Sequence, residues 1–275
     1  MLIDLHVHTT ASDGQYSPAQ IVEMSAYEGI SVLSVTDHDT INGLKEAAGR
    51  AEELKVRFVP GIEISTKDIE EIHILGYDID QSDCNLKESC DSWRLERTNR
   101  GIEIRDYLKQ KGIEVDLKEV NSYAENGNLG RPHFARYLIE HGYVKTRRDA
   151  FDRYLDTNEF REATDRKKPS CEEAIRLIHG AGGKAVLAHP GIYRMGAEEL
   201  EDLIFRLAGF GLNGIECFYS KHTTKQTNTY LELMRRFSLK TSCGSDYHGD
   251  KVKPDTKLGM LFDRNKYISD CVIEL

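Results

Sequence analysis

Short apolar runs recur along this chain, and nearly every one ends in histidine, aspartate or glutamate. They are DLHVH (4–8), SVLSVTDHD (31–39), VPGIEIS (59–65), IHILGY (72–77), KAVLAH (184–189) and CGSDYH (243–248). Between them lie helical stretches: one opened by Ser17-Pro18 and ending near Gly29, then 43–54, 172–182, 198–211 and 224–238. Serine before proline is a strong helix start, because Ser caps the free amides and Pro has none to leave unpaired. Strands are predicted at 2–8, 31–36, 57–65, 72–78, 184–189, 214–218 and 240–246. This alternation predicts the α/β class, with a parallel sheet covered by helices.

Residues 81–165 break the rhythm with a long charged helix near 86–111 and several shorter ones, and no convincing strand. The predicted organisation is a barrel whose first part spans 1–80 and second part 166–275, interrupted by a helical insertion at 81–165. The two barrel parts sum to about 190 residues, short of the ≈ 250 of an eight-unit barrel, which predicts a smaller or incomplete one.

In a strand, successive side chains face opposite sides, so Leu5 and Val7 share one face and His6 and His8 the other. In α/β barrels the carboxyl ends of the strands form the active face. There this chain places His6, His8, Asp13, His38, Glu63, His73, His189, Asp246 and His248, including six of its ten histidines. Singly, each has an ordinary explanation. Asp13-Gly14 suits a turn, Asp246 suits a cap, and a histidine such as His73 packs readily in an apolar strand. Together, at equivalent strand ends, they predict a metal site with nitrogen and oxygen donors, which suit manganese, zinc and iron alike.

Composition narrows the partners. With 37 basic and 46 acidic residues the net charge is −9, so no broad footprint for duplex DNA is expected. No apolar run approaches the roughly 20 residues of a membrane span, and MLIDLHVH lacks the features of a signal peptide. Six cysteines are scattered without a C-x-x-C pair, the pattern of reduced thiols. A cytoplasmic protein is expected, and no feature calls for an obligate protein partner.

DLHVHTTASDG, VTDHDT, PGIEIS, AHPG and GSDYHG resemble the successive motifs of the PHP (polymerase and histidinol phosphatase) family. The resemblance implies a distorted (β/α)7 TIM-like barrel holding two to three divalent ions. It implies one ion on His6, His8, Glu63 and Asp246, a second on Asp13, His38 and His248, and a third on His73 and His189 with Glu63 bridging. NLGRPHFARYL (128–138) is similar to the insertion signature of the branch that includes ribonuclease AM and the 3′,5′-nucleotide bisphosphate phosphatases. The histidinol phosphatase branch usually has histidine where Asp13 stands.

Three divalent ions would bring about +6 against about −3 from Asp13, Glu63 and Asp246, so the cleft would attract anions although the protein is acidic. The expected chemistry is attack on phosphorus by a metal-bridging hydroxide held by His6, His8, Asp13, Glu63 and Asp246. Arg131, His133 and His222 are candidate phosphate-binding residues, because a guanidinium binds phosphate in a bidentate fashion. Arg94, Arg97 and Arg100 form an i, i+3 ridge, expected to be a solvated face, and His141 and His179 have no assigned role. The leading expectation is a phosphoesterase acting on a nucleotide or short single-stranded RNA. It would be a 3′,5′-bisphosphonucleotide 3′-phosphatase, a 5′-3′ exonuclease on short 5′-phosphorylated RNA, or both. The alternatives are a phosphomonoesterase for a small metabolite such as histidinol phosphate, an amidohydrolase-type C–N hydrolase, and a non-catalytic metal-holding module. Glu63 stands where the amidohydrolase class commonly uses a strand lysine.

Overall fold

The run VLSV is buried at all four positions, so β2 (Val32–Val35) is covered on both faces, as a parallel barrel strand must be. The computed structural model describes residues 1–68, 72–123, 129–164, 168–193 and 195–275, without the side chains of 97 and 98. It divides into two compact units, Met1–Cys90 with Lys168–Leu275, and Asp91–Lys167.

The first unit is a nearly closed eight-stranded barrel in the order β7-β6-β5-β4-β3-β2-β1-β8. Seven strands carry it: β1 (Leu2–Asp4), β2, β3 (Arg57–Ser65), β4 (His73–Tyr77), β5 (Lys184–Leu187), β6 (Gly214–Tyr219) and β7 (Lys240–Gly244). A two-residue strand, β8 (Met260–Leu261), is added antiparallel to β1. Beyond β1 the chain stays extended and meets the continuation of β7. Leu5 N–H donates to Cys243 O at 3.0 Å, Asp246 N–H to His6 O at 2.8 Å and His8 N–H to Tyr247 O at 2.9 Å. These bonds close the barrel between the first and seventh strands.

One strand departs from the expected parallel sheet. β4 runs antiparallel to both β3 and β5, with Ser65 opposite His73 and Gly61 opposite Tyr77. The reason is length: residues 66–72 are too few for the crossover of a dozen or more that a parallel partner requires. The chain therefore turns back as a hairpin. His73, at the start of β4, thus lies on the same rim as the carboxyl ends of the other strands.

Covering helices follow their caps and apolar stripes. α1 (Pro18–Tyr27) opens with a reciprocal Ser17–Gln20 capping box, and α2 (Leu44–Leu54) follows β2. α8 (Cys171–Gly180) precedes β5, opened by a Ser170–Glu173 box. α9 (Ala197–Gly209) buries Leu200, Leu203, Ile204 and Leu207, the i, i+3, i+4, i+7 stripe of a helix packed on one face. α10 (Thr224–Arg236) lies between β6 and β7.

In the second unit, α4 (Leu117–Ser122), α5 (Arg131–Glu140), α6 (Arg147–Ala150) and α7 (Asn158–Ala163) accompany most of α3 (Cys84–Gln110). They share a core that includes Ile104, Leu108, Phe134, Leu138 and Phe160. The basic ridge on α3 is not a uniformly solvated face: Arg100 is buried, its guanidinium 6.0 Å from the Phe160 ring centre. The Arg97 side chain lies outside the described residues. Among the described residues no helix is long and apolar enough to cross a membrane.

Candidate metal centre

Alternation along the first strand and its continuation buries Leu5 and Val7 in the core and sends His6 and His8, both fully buried, to the inner face. The turn after His8 is tied by Asp37. Its carboxylate accepts from Thr9 N at 2.7 Å, Thr9 Oγ1 at 2.7 Å and Ser12 Oγ at 2.5 Å. Gly14 is required in this turn, because a Cβ there would lie 2.4 Å from His8 O. The turn brings Asp13 Oδ1 to 3.5 Å from His8 Nδ1 and 3.4 Å from His248 Nε2.

Glu63 is the hub. Its Oε2 lies 3.3 Å from His6 Nε2, 3.1 Å from His8 Nε2 and 3.1 Å from His38 Nδ1. Its Oε1 lies 2.8 Å from His73 Nδ1 and 2.9 Å from His189 Nε2. Asp246 Oδ1 completes the ring at 3.7 Å from His6 Nε2, 3.4 Å from His8 Nε2 and 3.3 Å from His248 Nδ1. All nine predicted metal-ligand residues are therefore gathered on one rim.

Two of these residues sit in backbone conformations that L-residues rarely adopt, His189 at φ 26° and Asp246 at φ 58°. Such positions cost about 1–3 kcal/mol each and persist where surrounding bonds over-determine them. His189 N–H donates to Glu216 Oε2 at 2.7 Å. Asp246 Oδ2 accepts from Tyr219 OH at 3.0 Å and Lys253 Nζ at 2.7 Å, which leaves Oδ1 facing the histidines.

Four groups each bring their donor atoms within 4.8 Å of one another: His8, Asp13, His38 and His248; His6, Glu63 and His189; His6, His8 and Asp246; His38, Glu63 and His73. The set implied by resemblance partitions the same residues differently, because His8 stands both with Asp13 and with His6. Several donor atoms are buried without a hydrogen bond, namely His6 Nε2, His8 Nε2, His38 Nδ1 and Glu63 Oε2. Buried polar atoms left unpaired are costly, and here they converge on common points. Histidine nitrogen with carboxylate oxygen is a donor set that fits divalent ions.

The charges agree. Burial would push the Glu63 carboxyl up, but the basic histidines around it, His6 and His73 among them, outweigh burial and hold it well below the usual range. Burial pushes the His38 imidazole down to about 3, so it is neutral and able to ligate. Burial alone would also lower His8, but the Asp246 and Glu63 carboxylates close to its Nε2 carry it up to about 9.

Three further residues belong to the site and escaped the sequence reading. Glu216, fully buried, lies 3.0 Å through Oε1 from His6 Nδ1, and Tyr219 and Lys253 hold Asp246. Glu216 sits mid-strand in GIECF; a charged residue within an otherwise apolar strand is the signal that marks it.

The candidate phosphate-binding residues are placed differently. His222 uses both ring nitrogens on main chain: Gly191 N–H donates to Nε2 at 3.1 Å, so Nδ1–H donates to Cys217 O at 3.1 Å. It thus braces the turn that follows His189. In the second unit, Arg131 begins α5 and pairs with Asp156 at 3.0 Å, while His133 Nδ1 accepts from Gly130 N at 3.0 Å.

The PHP domain model matches residues 4–157. A 5′-3′ exoribonuclease of Haemophilus influenzae is 36% identical over 248 residues, covering 89% of this chain and 89% of that protein. A 3′,5′-nucleoside bisphosphate phosphatase of Chromobacterium violaceum is 34% identical over 248 residues, covering 90% of this chain and 87% of its own length. A solved structure from Bifidobacterium adolescentis, described as a metal-dependent phosphoesterase, superposes with a TM-score of 0.77 at 29% identity, covering 98% of this chain and 96% of that one.

Proposed function

The chain belongs to the PHP domain family of metal-dependent phosphoesterases, and we propose that it hydrolyses phosphate esters of nucleotides. The substrates are a 3′,5′-bisphosphonucleotide, which loses its 3′-phosphate, and short 5′-phosphorylated single-stranded RNA, trimmed from its 5′ end. The observation that carries this reading is Glu63, a single buried carboxylate within 3.3 Å of five histidine nitrogens. Support for the substrate comes from the two relatives that act on nucleotides. Support for a cytoplasmic setting comes from cysteine spacing, and the acidic chain argues against duplex DNA.

Two to three divalent ions, of manganese, zinc or iron, would be held by the nine residues and would supply Lewis acidity toward the phosphoryl group and toward water. Glu63 presents one oxygen to His6, His8 and His38 and the other to His73 and His189, so it spans adjacent donor groups. Neutral His38 offers a lone pair without losing a proton. Tyr219 and Lys253 fix the Asp246 carboxylate so that only Oδ1 faces inward. Arg131 and His133, in the Arg-Pro-His segment, bind phosphate on this reading, Arg131 as a bidentate donor.

Incubation with manganese and, in separate reactions, adenosine 3′,5′-bisphosphate, a short 5′-phosphorylated oligoribonucleotide and histidinol phosphate tests the reading, with Glu63→Ala as control. Inorganic phosphate from the bisphosphate, or sequential mononucleotides from the RNA, is expected. Cleavage of histidinol phosphate alone overturns the nucleotide assignment.

A further inference from the structure

Glu216 is completely buried, and both of its oxygens are engaged by residues that belong to the metal centre. Oε1 lies 3.0 Å from His6 Nδ1, and Oε2 accepts the backbone N–H of His189 at 2.7 Å. The two partners come from opposite sides of the barrel order, from the continuation of β1 and from the end of β5. β6, which carries Glu216, lies beside β5 and β7. Glu63 meets the same two residues at their Nε2 atoms, whereas Glu216 holds them from behind, at His6 Nδ1 and the His189 backbone.

We propose that Glu216 is a positioning residue, a carboxylate that sets two metal ligands at once without touching an ion itself; this assignment rests on the metal-centre reading above. At His6 it acts through the tautomer. An ion taken at Nε2 would leave the ring one proton, on Nδ1, where Glu216 Oε1 stands 3.0 Å away to accept it. Nε2 is the atom that faces Glu63 and Asp246 and has no hydrogen bond of its own. At His189 it acts through the backbone. The N–H bond holds the residue at φ 26°, the rare conformation from which Nε2 reaches Glu63 Oε1 at 2.9 Å.

Neither closest replacement reproduces both functions. Glutamine has one accepting oxygen and one donating amide. If the amide faces His6, the imidazole must move its proton to Nε2, where it blocks the ligand atom. If the amide faces His189, two donors meet and the turn loses its hold. Aspartate accepts twice but is one methylene shorter and cannot reach both. Tight packing leaves no room for adjustment, since a Cβ on Gly244 would lie 2.8 Å from Glu216 Oε1 and 2.2 Å from His6 Cβ.

The experiment compares wild type, Glu216→Gln and Glu216→Asp by zinc affinity, measured in competition with a chromogenic chelator, and by apoprotein melting. Histidine tautomers are read from 15N–1H long-range spectra of the zinc-loaded proteins. Both variants are expected to fold. Zinc binding at the weakest-held step should drop about 10–100-fold, the usual effect of losing a partner that orients a ligand. In Glu216→Gln one zinc-bound histidine should lose its Nδ1–H, Nε2-ligated signature. Wild-type zinc affinity and spectra in Glu216→Gln would overturn the proposal. So would failure of both variants to fold, because Glu216 would then be a residue of the fold. If wild type itself binds no zinc, the metal-centre reading fails instead.

Discussion

Glu63 Oε1 lies 2.8 Å from His73 Nδ1, although the two residues come from neighbouring strands that run in opposite directions. The reversal of β4 makes the contact possible, and it adds a second histidine to the Oε1 that His189 also reaches. Glu63→Ala therefore removes a group shared by several donor sets. Turnover should fall by at least about 10³-fold, several kcal/mol of transition-state stabilisation. Metal analysis of the purified variant should show fewer ions per chain; a variant with full metal content and near-wild-type turnover would contradict the role given to this residue.

Metal uptake should release protons near neutrality. His8 in the metal-free protein is held up to about 9 by its carboxylate neighbours, so below that pH it carries a proton it must give up to ligate. Apparent affinity should accordingly rise with pH from 7 towards about 9, by up to tenfold per unit for this one proton. His38, pushed to about 3 by burial, is already neutral and contributes none. Calorimetric titration in two buffers of different ionisation enthalpy measures the release, and a value of zero at pH 7 would contradict a protonated His8.

How much of this was legible beforehand depends on what each feature needs. Metal ligation requires particular residue types, so His6, His8, Asp13, His38, Glu63, His73, His189, Asp246 and His248 stand out in the chain even before it is folded. The hairpin between Ser65 and His73 was also present in the sequence, as a link too short for a crossover, but an apolar run looks the same in either direction. Glu216 was hidden for a different reason: its importance comes from burial against His6 and His189, partners 210 and 27 residues away. Arg100 shows the same limit, since an i, i+3 spacing identifies a helix face without saying whether water or Phe160 covers it.

Asp37 should be a stability residue with a functional consequence. Replacing it by alanine leaves Thr9 N–H and the Thr9 hydroxyl without their acceptor in a buried turn, while Ser12 Oγ keeps Asp13 Oδ1 at 3.2 Å. The expected loss is about 2–4 kcal/mol, since each buried donor left unpaired costs about 1–3 kcal/mol. Urea unfolding of the metal-free protein measures it. A change below about 0.5 kcal/mol, the range of an ordinary surface substitution, would mean the turn does not depend on this carboxylate.

Gly244→Ala should disturb the centre from behind. The added methyl would meet His6 Cβ at 2.2 Å and His6 N at 2.9 Å, where backbone must move. Overpacking of this kind costs about 1–3 kcal/mol. Thermal melts with and without zinc should show a lower melting temperature and a smaller metal-induced rise.

Arg131→Ala should discriminate between substrates. If the guanidinium reads a second phosphate, KM for adenosine 3′,5′-bisphosphate should rise about 10–100-fold, the value of one to two charge-assisted hydrogen bonds. KM for a substrate with only the scissile phosphate should hardly change. Equal effects on both would assign Arg131 to the α5 start and its Asp156 pair.

The bonds that join Leu5, His6 and His8 to Cys243, Asp246 and Tyr247 have a consequence for the order in which the protein is made. His6 and His8 are translated more than two hundred codons before Asp246 and His248. A nascent chain therefore carries scattered histidines but no finished centre. The nine residues can meet only once the continuation of β7 docks on that of β1.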